Sequence, residues 1–119
     1  MSQKIIHADN SEFFRKLVKT ALIEEGYVVD QTDSGKETFE HAQSDNASAI
    51  IMGMALKDMS SEELLKKLLT LPNRIPVIIL TSNNDETEKK RFLSIGFSAY
   101  ISKTENWQEL LSEELKKIL

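Results

Sequence analysis

Short apolar runs alternate along the whole chain with longer stretches whose apolar residues recur at helical spacing. Ile5-Ile6-His7-Ala8 is the first run, followed by Phe13, Phe14, Leu17, Val18, Ala21 and Leu22 and a helix stop near Gly26. Tyr27-Val28-Val29 is the second; Ser34 to Glu37 then has capping-box spacing and opens a short helix carrying Phe39 and Ala42. Ala49-Ile50-Ile51-Met52 is the third, ahead of another capping box, Ser60 to Glu63, and of Leu64, Leu65, Leu68 and Leu69. Val77-Ile78-Ile79-Leu80 is the fourth, and Asp85 to Glu88 caps a short charged helix with Phe92 and Ile95. Ala99-Tyr100-Ile101 is the fifth, and Trp107, Leu110, Leu111, Leu115 and Ile118 mark a final helix.

Five strand–helix units follow from this pattern. The strands read as continuously apolar, as strands do when helices cover both faces of a parallel sheet. Alternating strands and helices imply right-handed crossovers and one doubly wound α/β domain over residues 1–119. In such a sheet a ligand sits beyond the carboxyl ends of the strands, at the switch point of the topology. Asp9-Asn10 follow the first strand, Gly53 and the loop Met54 to Ser60 the third, Thr81-Ser82 the fourth and Ser102-Lys103-Thr104 the fifth. One acid, one hydroxyl and one lysine are therefore expected to converge on one small surface.

Composition narrows the chemistry. A length of 119 residues favours one domain. There is no cysteine, so disulfides, thiolate metal sites and cysteine nucleophiles are excluded. His7 and His41 are the only histidines, which excludes a His-rich metal site. A net charge of -4, with acids and bases interspersed, does not suggest binding to nucleic acid or to an anionic membrane. No apolar run approaches the ~20 residues needed to span a bilayer. Met1 to Lys4 lead straight into the first strand, so no signal peptide is expected and a cytoplasmic location is the default. The first strand is followed by Asp9-Asn10-Ser11-Glu12 and not by a glycine-rich loop, which weighs against a flavodoxin-like protein that binds a nucleotide or flavin.

Several stretches also keep a distinctive order and spacing. Lys4 to Tyr27 runs from first strand to second without a gap; Thr32-Asp33-Ser34-Gly35 forms a turn before the second helix; Pro76 to Leu80 is followed by Thr81; Gly96, Ala99, Tyr100 and Lys103 close the series. Together they resemble the receiver domain of bacterial two-component response regulators, over nearly the whole chain. The resemblance implies strand order 2-1-3-4-5 in a flavodoxin-like three-layer α/β/α architecture. It implies phosphorelay-type signalling through a protein partner or an attached output domain. It makes Thr81 the switch hydroxyl, Tyr100 the switch aromatic and Lys103 the family's lysine.

The departures from the family's pattern carry the functional reading. Receivers have two adjacent acids after the first strand; here they are Asp9 and Asn10. The phosphoryl-accepting aspartate at the end of the third strand is Gly53 here. The following loop usually carries a proline and an Asp-Gly pair, where this chain has Lys57 and Ser60-Ser61, and the proline after the lysine is Thr104. By resemblance, the direct carboxylate ligands of Mg²⁺ would lie at positions 10 and 53. Mg²⁺ needs hard oxygen ligands, so it is expected to bind weakly or not at all, and no cofactor is expected. A position without a nucleophile takes no phosphoryl group. The expectation is a pseudo-receiver with a degenerate pocket of Asp9, Asn10, Gly53, Thr81 and Lys103, acting by protein–protein contact and catalysing no turnover. The alternative is a conventional receiver that accepts a phosphoryl group at a non-standard residue such as Asp58, whose plainer reading is a solvated loop residue.

Individual side chains carry further expectations. Asp9 pairs with Lys103 and fixes the pocket, the alternative being that it binds a metal or holds a partner's amine; Lys103 alternatively binds an anion. Thr81 and Tyr100 either pack and hydrogen-bond or act as a partner-biased switch. His7, in the first strand, reads as a core histidine, and His41 as solvated. Trp107 is either a half-exposed hot spot or a core residue. The resemblance implies a homodimer or partner face formed by the last two helices and the fifth strand; Lys89, Lys90 and Arg91 give it a basic end, whose plainer reading is a solvated charged face.

Overall fold

A computed structural model describes residues 3–44, 46–104 and 106–119. Met1 and Ser2, which enter the expectation of no signal peptide, lie outside the described residues. The elements are β1 (Lys4–Ala8), α1 (Glu12–Glu24), β2 (Val28–Thr32), α2 (Gly35–Ser44) and β3 (Ala49–Met52). They continue with α3 (Ser61–Leu68), β4 (Val77–Thr81), α4 (Glu86–Ile95), β5 (Ala99–Ser102) and α5 (Trp107–Ile118). Every strand pair is parallel, and the order is β2-β1-β3-β4-β5, as the expected fold requires.

Alternation along the strands divides the core into two layers. Ile6, Ala8, Ile50, Met52 and Ile79 pack with Ala42 of α2, Leu64 and Leu65 of α3 and Phe92 of α4. Ile5, Ile51, Ile78 and Leu80 face the other way, onto Val18 and Leu22 of α1 and Leu111 and Leu115 of α5. β3 and β4 are flanked by strands on both sides and are buried throughout; β3 is wholly apolar, and β4 is apolar up to its last residue, Thr81. β2 corrects the sequence reading: it runs later than Tyr27-Val28-Val29 and includes Asp30, Gln31 and Thr32. It lies at the sheet edge, paired only with β1, and Val28 is 50% exposed. A strand with one free flank needs no continuous apolar run.

The helix starts follow their capping residues. Ser11 accepts from the Phe14 N–H, Ser60 from Glu63 and Asp85 from Thr87. Ser34 accepts from the Glu37 N–H, but the Glu37 carboxylate turns to the Thr32 hydroxyl at 2.6 Å and does not return to Ser34. On α1 the apolar residues do not all face inward: Val18 and Leu22 are buried, whereas Phe13 is 72% exposed. Trp107 is buried, with its ring centroid 5.0 Å from that of Phe14, so the core reading of this residue holds and the half-exposed one does not.

Candidate functional site

Parallel pairing sets Ala8 of β1 beside Met52 of β3, and the Gly53 N–H donates to the Ala8 carbonyl at 2.8 Å. Residues 9 and 53 therefore leave the sheet side by side. The Lys103 N–H donates to the Thr81 carbonyl at 2.7 Å and fixes the exits of β4 and β5 in the same way. These exits line one open cleft of about 280 Å³ whose walls include Asp9, Asn10, Gly53, Thr81 and Lys103. All five pocket residues expected from the sequence are thus together. A Cβ added to Gly53 would lie 3.3 Å from the Asp9 carboxyl carbon, so position 53 faces that carboxylate with bare backbone.

Asp9 is buried and closely held. Its Oδ1 accepts from the Ser11 N–H at 2.9 Å, and its Oδ2 lies 3.4 Å from Lys103 Nζ. The Arg15 guanidinium reaches its backbone carbonyl at 2.7 Å. Burial pushes the Asp9 carboxyl up, but His7, the Ser11 N–H and the Lys103 charge outweigh it and hold the group below its ordinary value. The expected Asp9–Lys103 pair is present. Lys103 Nζ also sits 3.9 Å from the Phe14 ring centroid, a cation–π contact. Asn10 is exposed and offers no carboxylate.

Thr81 is buried, and its Oγ1 accepts from the Asn83 N–H at 3.1 Å. Tyr100 lies outside the cleft: it is buried, and its hydroxyl donates to Glu88 of α4 at 2.7 Å. Burial and the Glu88 charge raise its phenol well above the ordinary value. The hydroxyl also lies 3.5 Å from the Asn83 carbonyl, so Asn83 touches both switch-like residues.

Asp58 stands apart from the cleft lining. Its carboxylate accepts from the backbone N–H of Gly35 at 2.7 Å, from that of Lys36 at 3.0 Å and from the Ser34 hydroxyl at 3.2 Å. It is an exposed loop residue, as its plainer reading has it, and it also caps the start of α2. The Gly35 N–H is the main cause that holds its carboxyl below the ordinary value. Lys57 adds a second tie to the same turn, with its Nζ 3.0 Å from Asp33. His41 is also less free than expected, half-exposed with Nδ1 3.2 Å from Asp30. Arg91 of the basic run pairs with Glu62 at 2.5 Å.

His7 is fully buried, as a core histidine should be. Burial holds its imidazole below the ordinary value, against the pull of the Asp9 carboxylate. Its partner Gln31, and the Phe14 and Arg15 contacts to the cleft, were not read from the sequence. Only the pairing of Gln31 with His7 across β1 and β2 brings the two polar groups together, and β2 was placed too early to reveal it. Among the described residues no group of three or more His, Asp or Glu side chains is arranged to hold a metal ion.

The family model of the response regulator receiver domain matches residues 5–114, and the chain belongs to that family. It is a receiver domain of the two-component signalling type. The transcriptional regulatory protein SrrA of Staphylococcus aureus (strain NCTC 8325 / PS 47) is 28% identical over 103 residues. That match covers 87% of this chain but 42% of the relative, so the chain spans less than half of its length. The chemotaxis response regulator CheY4 of Vibrio cholerae shares the fold, with a TM-score of 0.89 at 24% identity over all of both chains. The response regulator TrrA of Thermotoga maritima, solved in complex with Mg²⁺-BeF, gives a TM-score of 0.86 at 26% identity, over 98% of this chain and 99% of that one.

Proposed function

We propose that this receiver domain is not phosphorylated on aspartate and signals by protein–protein contact with a partner or an attached output domain. The observation that carries the reading is the bare backbone of Gly53 facing the Asp9 carboxylate, where the family's pattern places its reactive acid. Nothing at that position can attack a phosphoryl donor. Asp58 does not replace it, because its two oxygens are taken by the start of α2.

The relative from Thermotoga maritima holds Mg²⁺ with its beryllium fluoride. The cleft of this chain does not fit that ion. Among the described residues Asp9 is the only carboxylate that lines it; one oxygen is bonded to the Ser11 N–H and the other faces a lysine ammonium. A divalent ion asks for more oxygen donors and less positive charge than this. Output through a protein surface is supported by α4, β5 and α5, where Leu93 and Leu110 are 39% and 36% exposed. That face suits a partner, an attached domain or a second copy of the chain.

The test is incubation with acetyl phosphate or phosphoramidate in millimolar Mg²⁺, followed by intact-protein mass spectrometry. No covalent phosphoryl group is expected. A stable single adduct overturns the reading, and peptide mapping would then show whether Asp58 is the acceptor.

A further inference from the structure

His7 occupies a strand position where an aliphatic side chain would pack without polar demands, and it is fully buried. Among the described residues its Nε2 is the one buried side-chain nitrogen or oxygen without a hydrogen-bond partner. An unpaired buried donor is costly, so its orientation calls for a physical reason.

Gln31 decides the tautomer. It stands opposite His7 on β2, and its Nε2 lies 2.7 Å from the Arg15 carbonyl and 2.9 Å from His7 Nδ1. A backbone carbonyl only accepts, so the group facing it is the amide NH₂, whose second hydrogen points to Nδ1. Nδ1 therefore offers its lone pair and the ring proton sits on Nε2. A metal ion on Nε2 would require that proton on Nδ1, against the Gln31 amide, so the arrangement favours a donor role.

The Nε2–H faces Oδ2 of Asp9 at 3.7 Å, beyond hydrogen-bond range. The same oxygen lies 3.4 Å from Lys103 Nζ. One carboxylate oxygen thus stands between two donors and is closely bonded to neither. In that same position Lys103 Nζ also lies 3.9 Å from the Phe14 ring centroid, a contact that does not depend on Asp9. No side chain at position 53 props Asp9 from the remaining side.

We propose that His7 is a positioning residue that competes with Lys103 for Asp9. A small drop of the carboxylate toward the sheet closes the Nε2–H···Oδ2 bond and releases the lysine ammonium to Phe14 and the cleft. A small rise restores the ion pair and leaves Nε2 unpaired. His7 thereby sets how far the Lys103 ammonium is available to whatever enters the cleft, whether or not the domain is phosphorylated.

Two measurements on the full chain test this. Long-range ¹H–¹⁵N NMR near neutral pH should find His7 as the neutral Nε2–H tautomer, and Gln31→Leu should weaken that preference. An Nδ1–H tautomer or an imidazolium in the unsubstituted protein would overturn the proposal. The second measurement is acylation of Lys103 by acetic anhydride, read by peptide mass spectrometry with the exposed Lys16 and Lys19 as internal references. In His7→Leu, checked for folding by its ¹H–¹⁵N spectrum, Asp9 stays on the lysine and the relative rate at Lys103 should fall several-fold. An unchanged or faster rate overturns the proposal. If His7→Leu does not fold, His7→Met carries the same test: its flexible thioether fills the space but offers Asp9 no donor, and acylation should again slow.

Discussion

Asp9 is where the chemistry of the cleft concentrates, because three donors and one missing side chain surround it. Its buried neighbour His7 makes stability depend on pH in a definite direction. The imidazole is held below its ordinary value of 6.5 by burial, with Asp9 pulling the other way and Lys103 and Arg15 adding positive charge. The unfolded chain takes up a proton near that ordinary value while the folded chain does not. Stability is therefore full above it and is lost as pH falls below it toward the lower folded value. Asp9 is also depressed and acts in the same sense, but only in the range below its ordinary 3.8. Thermal melts at about pH 7.5 and about pH 5.5 should show the loss, and His7→Leu should flatten it. An equal slope in both proteins would remove His7 as the cause. Position 53 has its own expected outcome. A Cβ there meets the Asp9 carboxyl at 3.3 Å, and a second carboxylate at ~4–5 Å repels the first by roughly 3–4 kcal/mol at an effective dielectric near 20. Lys103 offsets part of this, and the stiffer unfolded chain returns at most ~1 kcal/mol. Gly53→Asp should melt several degrees lower without Mg²⁺, and adding Asn10→Asp should create a Mg²⁺-dependent rise; a Gly53→Asp protein as stable as its parent contradicts the crowding.

At the level of elements, the start of α2 is capped by a side chain from elsewhere in the chain. Its first N–H groups are capped by Asp58 from the loop before α3, and Lys57 ties the same loop to Asp33. Losing a cap costs about 1 kcal/mol, so Asp58→Ala should lower the melting temperature by roughly 4 °C. Hydrogen exchange at Gly35 and Lys36 should quicken with it, and unchanged exchange there would show that the cap is idle. This contact also marks the limit of what the sequence revealed. Most of the helix faces and the buried strands β3 and β4 were legible because periodicity is local and both strands are apolar runs, up to Thr81 at the end of β4. The pocket residues were legible for the same reason, since strand ends place whatever follows them. β2 was misplaced because an edge strand relaxes the apolar rule, and with it the His7–Gln31 pairing was hidden. Asp58 and Gly35 are 23 residues apart, and no local pattern signals that one caps the other. Tyr100 was legible as an aromatic in β5, but its hold on Glu88 depends on how α4 packs.

For the whole molecule, the lack of a carboxylate cluster in the cleft among the described residues bears on how the melt responds to divalent ions. Where several acids crowd one cleft, a divalent ion stabilises the fold twice, by binding and by relieving repulsion that the unfolded chain does not feel. Here the one acid that lines the cleft among the described residues already faces a lysine, so on the proposed reading neither term operates. An ion that binds only the folded state adds RT ln(1 + [L]/Kd), which for ~5 mM Mg²⁺ and a Kd of ~100 mM or weaker is below ~0.05 kcal/mol. That corresponds to less than about half a degree in a domain of this size. General screening of a chain with net charge -4 affects the melt too, but it depends on ionic strength and not on the identity of the cation. Melts in Mg²⁺ and in sodium chloride of matched ionic strength should therefore coincide. A rise of several degrees specific to Mg²⁺ would mean that oxygen donors other than Asp9 reach the cleft in solution. Asn10, exposed at its rim, would be the first residue to substitute in finding them.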